Sequence, residues 1–247
     1  MPAKLISRFI EDLSFTTDPN YCRYCTTLQC GRKMKIIAVI PIKLNNERLP
    51  GKNTKLLGGK PLILYCIETL TKIGEITDIF VYCSDEEIKQ YLPKNVIYKK
   101  RSVLLDLPTA NFTQIFESFM YEEDADIYVY AHATAPFVRC ETVKREIEAV
   151  KSGNFDSAFC AERIQDYFWR DGTAMNFDPS NIPRSQDLPV IYRETSGVYV
   201  FKKEVFKKFR RRIGVNAYIA EVDRREAVDI NSAEDFNYAK ALLSYAR

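Results

Sequence analysis

No stretch of the 247 residues approaches the roughly 20 uncharged apolar positions that a membrane-spanning helix needs, which excludes a membrane partner of that kind. The first ten residues carry Lys4 and Arg8 with no continuous apolar region behind them, so a secretory signal is not expected. Net charge is scarce too. Thirty-six basic residues against 33 acidic ones leave +3, too little to argue for a nucleic acid, whose phosphates demand a broad basic face. The basic runs Lys207-Lys208 and Arg210-Arg211-Arg212 read as a solvated helix face. Seven cysteines are too dispersed for a disulfide scaffold, and Cys66, Cys83 and Cys160 lie in apolar segments where a reduced thiol packs as a small hydrophobe. A cytoplasmic, reducing environment fits.

Histidine is nearly missing, with His132 alone in the chain. The C-x2-C-x4-C cluster of Cys22, Cys25 and Cys30 suggests zinc, but a structural zinc site takes four ligands and no histidine or fourth cysteine is near. Residues 1–33 therefore read as a disordered extension, or as untranslated if Met34 is the start, because the organised pattern begins abruptly at Lys35. Residues 34–247 read as one domain.

That pattern alternates strands and helices. Ile36-Ile37-Ala38-Val39-Ile40 is a continuous apolar run, as in a strand buried on both faces of a parallel sheet. Further strands are expected at 79–83, 96–98, 127–131, 157–160, 197–201 and 227–230. Helical spacing falls at 62–73, 85–91, 113–121, 141–151, 203–209 and 233–244. Alternation on this scale predicts an α/β fold, a mostly parallel sheet with helices on both faces, and ligands beyond the carboxyl ends of the strands.

The loop after the first strand is suited to a triphosphate. Lys43, Arg48 and Lys52 bring positive charge, Asn45, Asn46 and Asn53 bring amides, and Gly51 allows close backbone approach. No G-x4-G-K-[ST] and no G-x-G-x-x-G occurs there, which removes the usual motifs of P-loop and dinucleotide-binding proteins. Composition alone would equally describe a solvated basic loop.

From Lys43 through Lys52-Asn53 to Gly59-Lys60-Pro61-Leu62, this loop resembles the nucleotide-binding signature of acylneuraminate cytidylyltransferases and of relatives that activate other nonulosonic acids or Kdo. Five more blocks extend the resemblance from about residue 34 to the end. Val81-Tyr82-Cys83-Ser84-Asp85 is similar to a V-S-T-D block beside the nucleotide, where Ser84 and Asp85 could equally cap a helix. Arg101 matches an arginine that approaches the nucleotide ahead of an L-x-x-D-x-T turn, written here Leu105-Asp106-Leu107-Pro108-Thr109 with proline at the usual aspartate. His132-Ala133-Thr134-Ala135-Pro136-Phe137 resembles Q-P-T-S-P-L, with His132 at a glutamine that touches the sugar. Ile182-Pro183-Arg184-Ser185-Gln186-Asp187 and Arg193-Glu194-Thr195-Ser196-Gly197 resemble sugar-facing segments. Arg184 and Arg193 suit a sugar carboxylate, and a surface ion pair explains either equally well. Last, Val228-Asp229-Ile230-Asn231 resembles an acidic D-x-D that holds magnesium, with Asn231 in place of the second acid.

The resemblance implies a Rossmann-like nucleotide-diphospho-sugar transferase fold and an enzyme that joins CMP from CTP to the anomeric hydroxyl of an acidic sugar, releasing pyrophosphate. It implies Lys43, Asn45, Asn46, Lys52, Asn53, Ser84 and Arg101 at the nucleotide, and His132, Arg184 and Arg193 at the sugar. Lys52 and Asp229 would serve catalysis, with Asp229 and Asn231 on magnesium. It also implies a homodimer, for which the aromatic stretch 160–189 is the expected arm. A sugar-1-phosphate nucleotidyltransferase, a glycosyltransferase and a non-catalytic sugar- or nucleotide-binding relative remain alternatives. The first lacks its glycine-rich G-x-G-T-R loop here, and the second would carry its acidic motif mid-chain.

Overall fold

Alternation of side chains along the first strand fixes the layers of the molecule. In β1 (Ile36–Ile42), Ile36, Ala38, Ile40 and Ile42 enter one apolar cluster while Ile37 and Val39 enter another on the opposite face. The computed structural model describes residues 33–245. After β1 come the short hairpin β2 (Leu56–Leu57) and β3 (Lys60–Pro61), then helix α1 (Leu62–Thr71). They are followed by β4 (Asp78–Cys83), β5 (Ile97–Lys100), α2 (Phe112–Glu122), β6 (Ile127–Ala131) and α3 (Cys140–Lys151). The chain continues through β7 (Ser157–Ile164), a hairpin of β8 (Trp169–Arg170) and β9 (Thr173–Ala174), and β10 (Ile191–Lys202). It ends with α4 (Lys203–Phe209), β11 (Ala217–Val222) and α5 (Ala233–Ser244).

The main sheet has the order β11-β7-β10-β6-β1-β4-β5. β1 is parallel to β4 and β6, β4 to β5, and β7 to β11. Only β10 runs against its neighbours β6 and β7, so the expected mostly parallel sheet is present. One face is aliphatic and takes Ile63, Ile67 and Leu70 of α1 with Val143, Ile147 and Val150 of α3. The other is aromatic and takes Phe116 and Phe119 of α2 with Val205 and Phe206 of α4. The chain leaves β1 toward β4 but leaves β6 toward β7, which makes the β1/β6 boundary the switch point where a ligand crevice opens.

A third, smaller apolar cluster draws no residue from the main sheet. Leu49, Leu57 and Leu62 meet Val228, Ile230 and Phe236 there, so the loop after β1, the β2–β3 hairpin and the start of α5 pack as one unit.

Three expectations need correction. Residues 227–230 form no strand: Ala227 N and Val228 N donate to Asp223 O and Arg225 O, and Ile230 N donates to Thr134 O, so the segment's amides are taken by turns and by one cross-link. The edge strand is β11, which sequence reading passed over. The segment at 85–91 is a 3-10 helix, Glu86–Tyr91, rather than an α-helix. The strand expected at 197–201 is the end of the twelve-residue β10. The Cys22, Cys25 and Cys30 cluster and the expected disorder of the N-terminal segment lie outside the described residues. Among the described residues no helix is long and apolar enough to cross a membrane.

Phe116 is the hub of the aromatic face, with ring centroids 4.9 Å from Tyr128, 5.0 Å from Phe201 and 4.7 Å from Phe206. Phe116→Ala is expected to cost about 3–5 kcal/mol of unfolding free energy, read as a lower urea midpoint at unchanged slope.

Candidate functional site

The carboxyl ends of β1, β4, β5 and β6 carry the residues that the sequence singles out. After β1 the chain turns through Pro50 and Gly51, whose φ of 64° is left-handed, into a 3-10 turn Lys52–Thr54. That turn buries Lys52 and Asn53. Asn53 Nδ2 donates to Lys43 O at 2.9 Å, closing the loop on itself, and Lys52 Nζ donates to Ile230 O at 2.7 Å. Burial holds the Lys52 ammonium below the usual lysine value against the pull of Asp229, with Arg48 pushing the same way as burial. Lys43 Nζ donates to Asp106 O at 3.1 Å. Asn46 Oδ1 is buried with no hydrogen-bond partner, and Asn45 is exposed.

At the ends of β4 and β5, Arg101 is buried and donates to Asp106 Oδ1 through Nε at 3.1 Å and through a terminal nitrogen at 2.5 Å. Ser84 Oγ donates to the other Asp106 oxygen. Capping falls to Asp85, whose side chain accepts from Glu87 N at 2.9 Å, so Ser84 is not the cap and lines none of the three cavities described below. Asp106 was not among the sequence candidates, which looked two positions later, at Pro108. An acid five residues after an arginine expected at the nucleotide was the signal available.

After β6, His132 N donates to Gly197 O and the ring stands edge-on to Tyr130 at 5.3 Å between centroids. Its Nε2 is buried without a partner. Burial, reinforced by the Arg212 charge, pushes its pKa from 6.5 down to about 4, so the imidazole is neutral at pH 7.

The acidic end is a chain of contacts. Arg48 donates from a terminal nitrogen to Asn231 Oδ1 at 2.9 Å, and Asn231 Nδ2 donates to Asp229 Oδ2 at 2.6 Å. Asp229 Oδ1 is buried and unpartnered. The cap of α5 is Ser232, which exchanges hydrogen bonds with Asp235 in a capping box. A divalent cation fits this corner, since Mg²⁺ usually takes one or two carboxylates with substrate phosphates and waters completing its shell, and Asp229 Oδ1 is a free anionic oxygen.

Three cavities with shared lining residues gather these groups. One of about 300 Å³ lies at the β1/β6 switch point and is lined by Lys43, Arg101, Asp106, Tyr130 and His132. One of about 320 Å³ shares Lys43, Asn46 and Lys52 with it and adds Arg48 and Asn231. The third, about 410 Å³, shares Asn231 and adds Asp229, Glu162, Arg193 and Arg224. Within it, Arg193 Nε donates to Glu162 at 3.0 Å, and Arg224 lies 3.7 Å from the same carboxylate. Arg184 lines none of these cavities; it is 74% exposed and pairs with Asp187 at 2.8 Å.

A basic loop over the switch point of an open, mostly parallel sheet places a ligand crevice where α/β proteins of this architecture carry one. The family model described as cytidylyltransferase matches residues 37–243, and the chain belongs to that family. It is 22% identical over 214 residues to an N-acylneuraminate cytidylyltransferase of Streptococcus agalactiae serotype V, covering 82% of this chain and 52% of the relative. Over 126 residues it is 30% identical to a CMP-N,N'-diacetyllegionaminic acid synthase of Legionella pneumophila, covering 48% of this chain and 54% of the relative. The chain spans about half the length of the curated relatives it matches. Its fold is similar to that of a CMP:2-keto-3-deoxy-manno-octonic acid synthetase solved with CTP, with a TM-score of 0.64 at 17% identity, covering 86% of this chain and 100% of the other. A 4-diphosphocytidyl-2C-methyl-D-erythritol synthase from Anaerococcus prevotii gives a TM-score of 0.61 at 14% identity, covering 86% and 97%. These likenesses establish the Rossmann-like nucleotidyltransferase fold.

His132 generates a pH prediction. Its folded pKa, about 4, lies below the 6.5 of the unfolded chain, so both states are neutral above pH 6.5 and the unfolded state alone gains a proton below it. Stability should fall as pH drops from about 6.5 toward about 4, and His132→Gln should flatten that slope while changing little above pH 7. Urea unfolding at several pH values decides it, and identical slopes for the two proteins would contradict it.

Proposed function

We propose that this chain transfers CMP from CTP to the anomeric hydroxyl of an acidic sugar of the nonulosonic type, releasing pyrophosphate, with Mg²⁺ as cofactor. The observation that carries the reading is that three neighbouring cavities share lining residues. The crevice at the switch point shares Lys43, Asn46 and Lys52 with a second cavity that adds Arg48, and this one shares Asn231 with a third that Asp229 lines. CTP fits with its nucleoside beside Arg101 and Ser84, near Tyr130, and its phosphates along the lysines, Asn46 and Asn53. The acceptor then lies between His132 and Arg193. The names of the matched relatives, which activate acylneuraminic, legionaminic and octulosonic acids, support CTP and an acidic sugar.

In the reaction the acceptor hydroxyl oxygen forms a bond to the α-phosphorus as the bond to the β-phosphate oxygen breaks; pyrophosphate departs and the hydroxyl proton is released to solvent. Lys43, Arg48 and Lys52 hold the phosphates in line and offset charge on the leaving group. Asp229, beside Asn231, would hold a Mg²⁺ ion, which would supply Lewis-acid neutralisation of the phosphate oxygens. The neutral His132 offers a hydrogen-bonding nitrogen to the sugar. Arg193 offers a guanidinium fork to its carboxylate, which exchanges for Glu162 as partner.

The same reading includes a cytoplasmic homodimer. Between β7 and β10 the chain displays Trp169 at 56% exposure and Ile182 at 63%, with Tyr167 and Trp169 packed edge-on against Phe177. This is more apolar surface than a solvated loop carries. Arg184 sits on that segment and in a dimer would serve the neighbouring site.

Pyrophosphate release should require CTP together with a nonulosonic acid; equal turnover with UTP or ATP would defeat the reading. Asp229→Ala should lower turnover on the order of a hundredfold or more at fixed Mg²⁺, as loss of a preorganised charged group does. Near-normal turnover in that variant would move the cation site elsewhere.

A further inference from the structure

The two ends of the Asn231 amide face groups of opposite hydrogen-bonding character. A guanidinium only donates and an ionised carboxylate only accepts, so an amide between them is satisfied in one orientation alone, oxygen to Arg48 and nitrogen to Asp229. Turning it over would set two donors against each other and two acceptors against each other. Asp229 by itself already selects the amide nitrogen, so the 2.9 Å contact from Arg48 acts by anchoring the other end of the Asn231 side chain and holding it against Asp229. That in turn commits Asp229 Oδ2 at 2.6 Å and leaves Oδ1, buried and unpartnered, as the one oxygen free for a ligand. Arg48 and Asn231 are 183 residues apart in sequence, so the contact also ties the loop after β1 to the segment before α5.

We propose that Arg48 is a positioning residue for the cation-binding carboxylate, acting through Asn231: the arginine orients the amide, and the amide orients Asp229. This rests on the reading above that Asp229 holds a divalent cation on the triphosphate. Two residues thereby stand where a second carboxylate would otherwise do the work. Arg48 adds a positive charge at the proposed phosphate site, and Asn231 leaves that charge unquenched because an amide is neutral. In the free protein the Asn231 oxygen belongs to Arg48, which makes Asp229 the protein's direct ligand.

The test is a double-variant cycle read by binding. Mn²⁺ bound to the protein–CTP complex, followed by water-proton relaxation, is compared in the wild type, Arg48→Met, Asn231→Asp, the double variant, Arg48→Lys and Asp229→Ala, with thermal unfolding run alongside. Arg48→Met should weaken Mn²⁺ about tenfold, the size of effect seen when a group that orients a metal ligand is lost, without lowering Tm. Arg48→Lys, still a donor, should retain most of the affinity. With aspartate at 231 the Arg48→Met effect should shrink to the smaller loss that its phosphate contact alone accounts for, because a carboxylate's two oxygens are equivalent and leave nothing to orient. Removing a positive charge by itself tightens cation binding, so tighter Mn²⁺ in Arg48→Met overturns the proposal. An equal loss in both backgrounds also overturns it, since that would reflect direct phosphate contact. If the wild type binds Mn²⁺ no better than Asp229→Ala, the cation reading fails and this inference falls with it. Asp229-dependent binding that ignores Arg48 sinks the inference alone.

Discussion

The backbone of Ile230 carries a hydrogen bond on each side, and the geometry of the site follows from the pair. Its amide donates to Thr134 O at 2.8 Å and its carbonyl accepts from Lys52 Nζ at 2.7 Å, while its side chain is buried in the third apolar cluster. One residue thus ties the loop after β1, the loop after β6 and the segment before α5. Asp229 and Asn231 flank it directly, so whatever fixes Ile230 fixes them. The apolar contacts with Leu49, Leu57 and Phe236 exclude water from this tie, which makes both hydrogen bonds stronger than they would be on the surface.

The sheet supplies the frame to which these loops are anchored. Its two faces are covered by different chemistries, aliphatic under α1 and α3 and aromatic under α2 and α4. Tyr130 on the aromatic face reaches the crevice at the switch point and stacks edge-on with His132. The packing of that face therefore extends into the wall of the first cavity. The neutrality of His132 has the same origin, since burial among tyrosine rings and near Arg212 disfavours the imidazolium.

Sequence reading recovered the elements whose burial is two-sided. β1, β4 and β6 are apolar without interruption, and the helices announce themselves by spacing. It failed where burial is partial or where an apolar run is used for something else. β11 is an edge strand with only Ala220 and Val222 buried, so it offered no continuous signal. The segment 227–230 has an apolar pattern but spends its amides on turns and on Thr134. The residue types of the site were legible, because a basic, amide-rich loop after a strand is a local pattern. Their partners were not. Arg101 with Asp106 lies within one loop and could have been found, whereas Arg48 with Asn231 and Lys52 with Ile230 join distant parts of the chain that only folding brings together.

The charges at the site divide by the kind of partner they already have. Arg101 faces a carboxylate, so its charge is largely compensated and its value lies in holding Asp106 and Ser84 in place. Lys43 and Lys52 donate to backbone carbonyls and Arg48 to an amide, all neutral acceptors that satisfy a hydrogen bond without cancelling charge. Across the proposed phosphate site three cations thus remain electrostatically available, with Asp229 in the neighbouring cavity and the exposed Glu47 on the loop. A buried lysine held this way is a poor resting state, as its lowered pKa records, and an arriving polyanion relieves it. The free oxygen of Asp229 would repel the same polyanion unless a cation lay between them. A site with cations in one cavity and a carboxylate in the next is therefore complementary to a triphosphate carrying its own divalent ion, and less so to a phosphate chain without one.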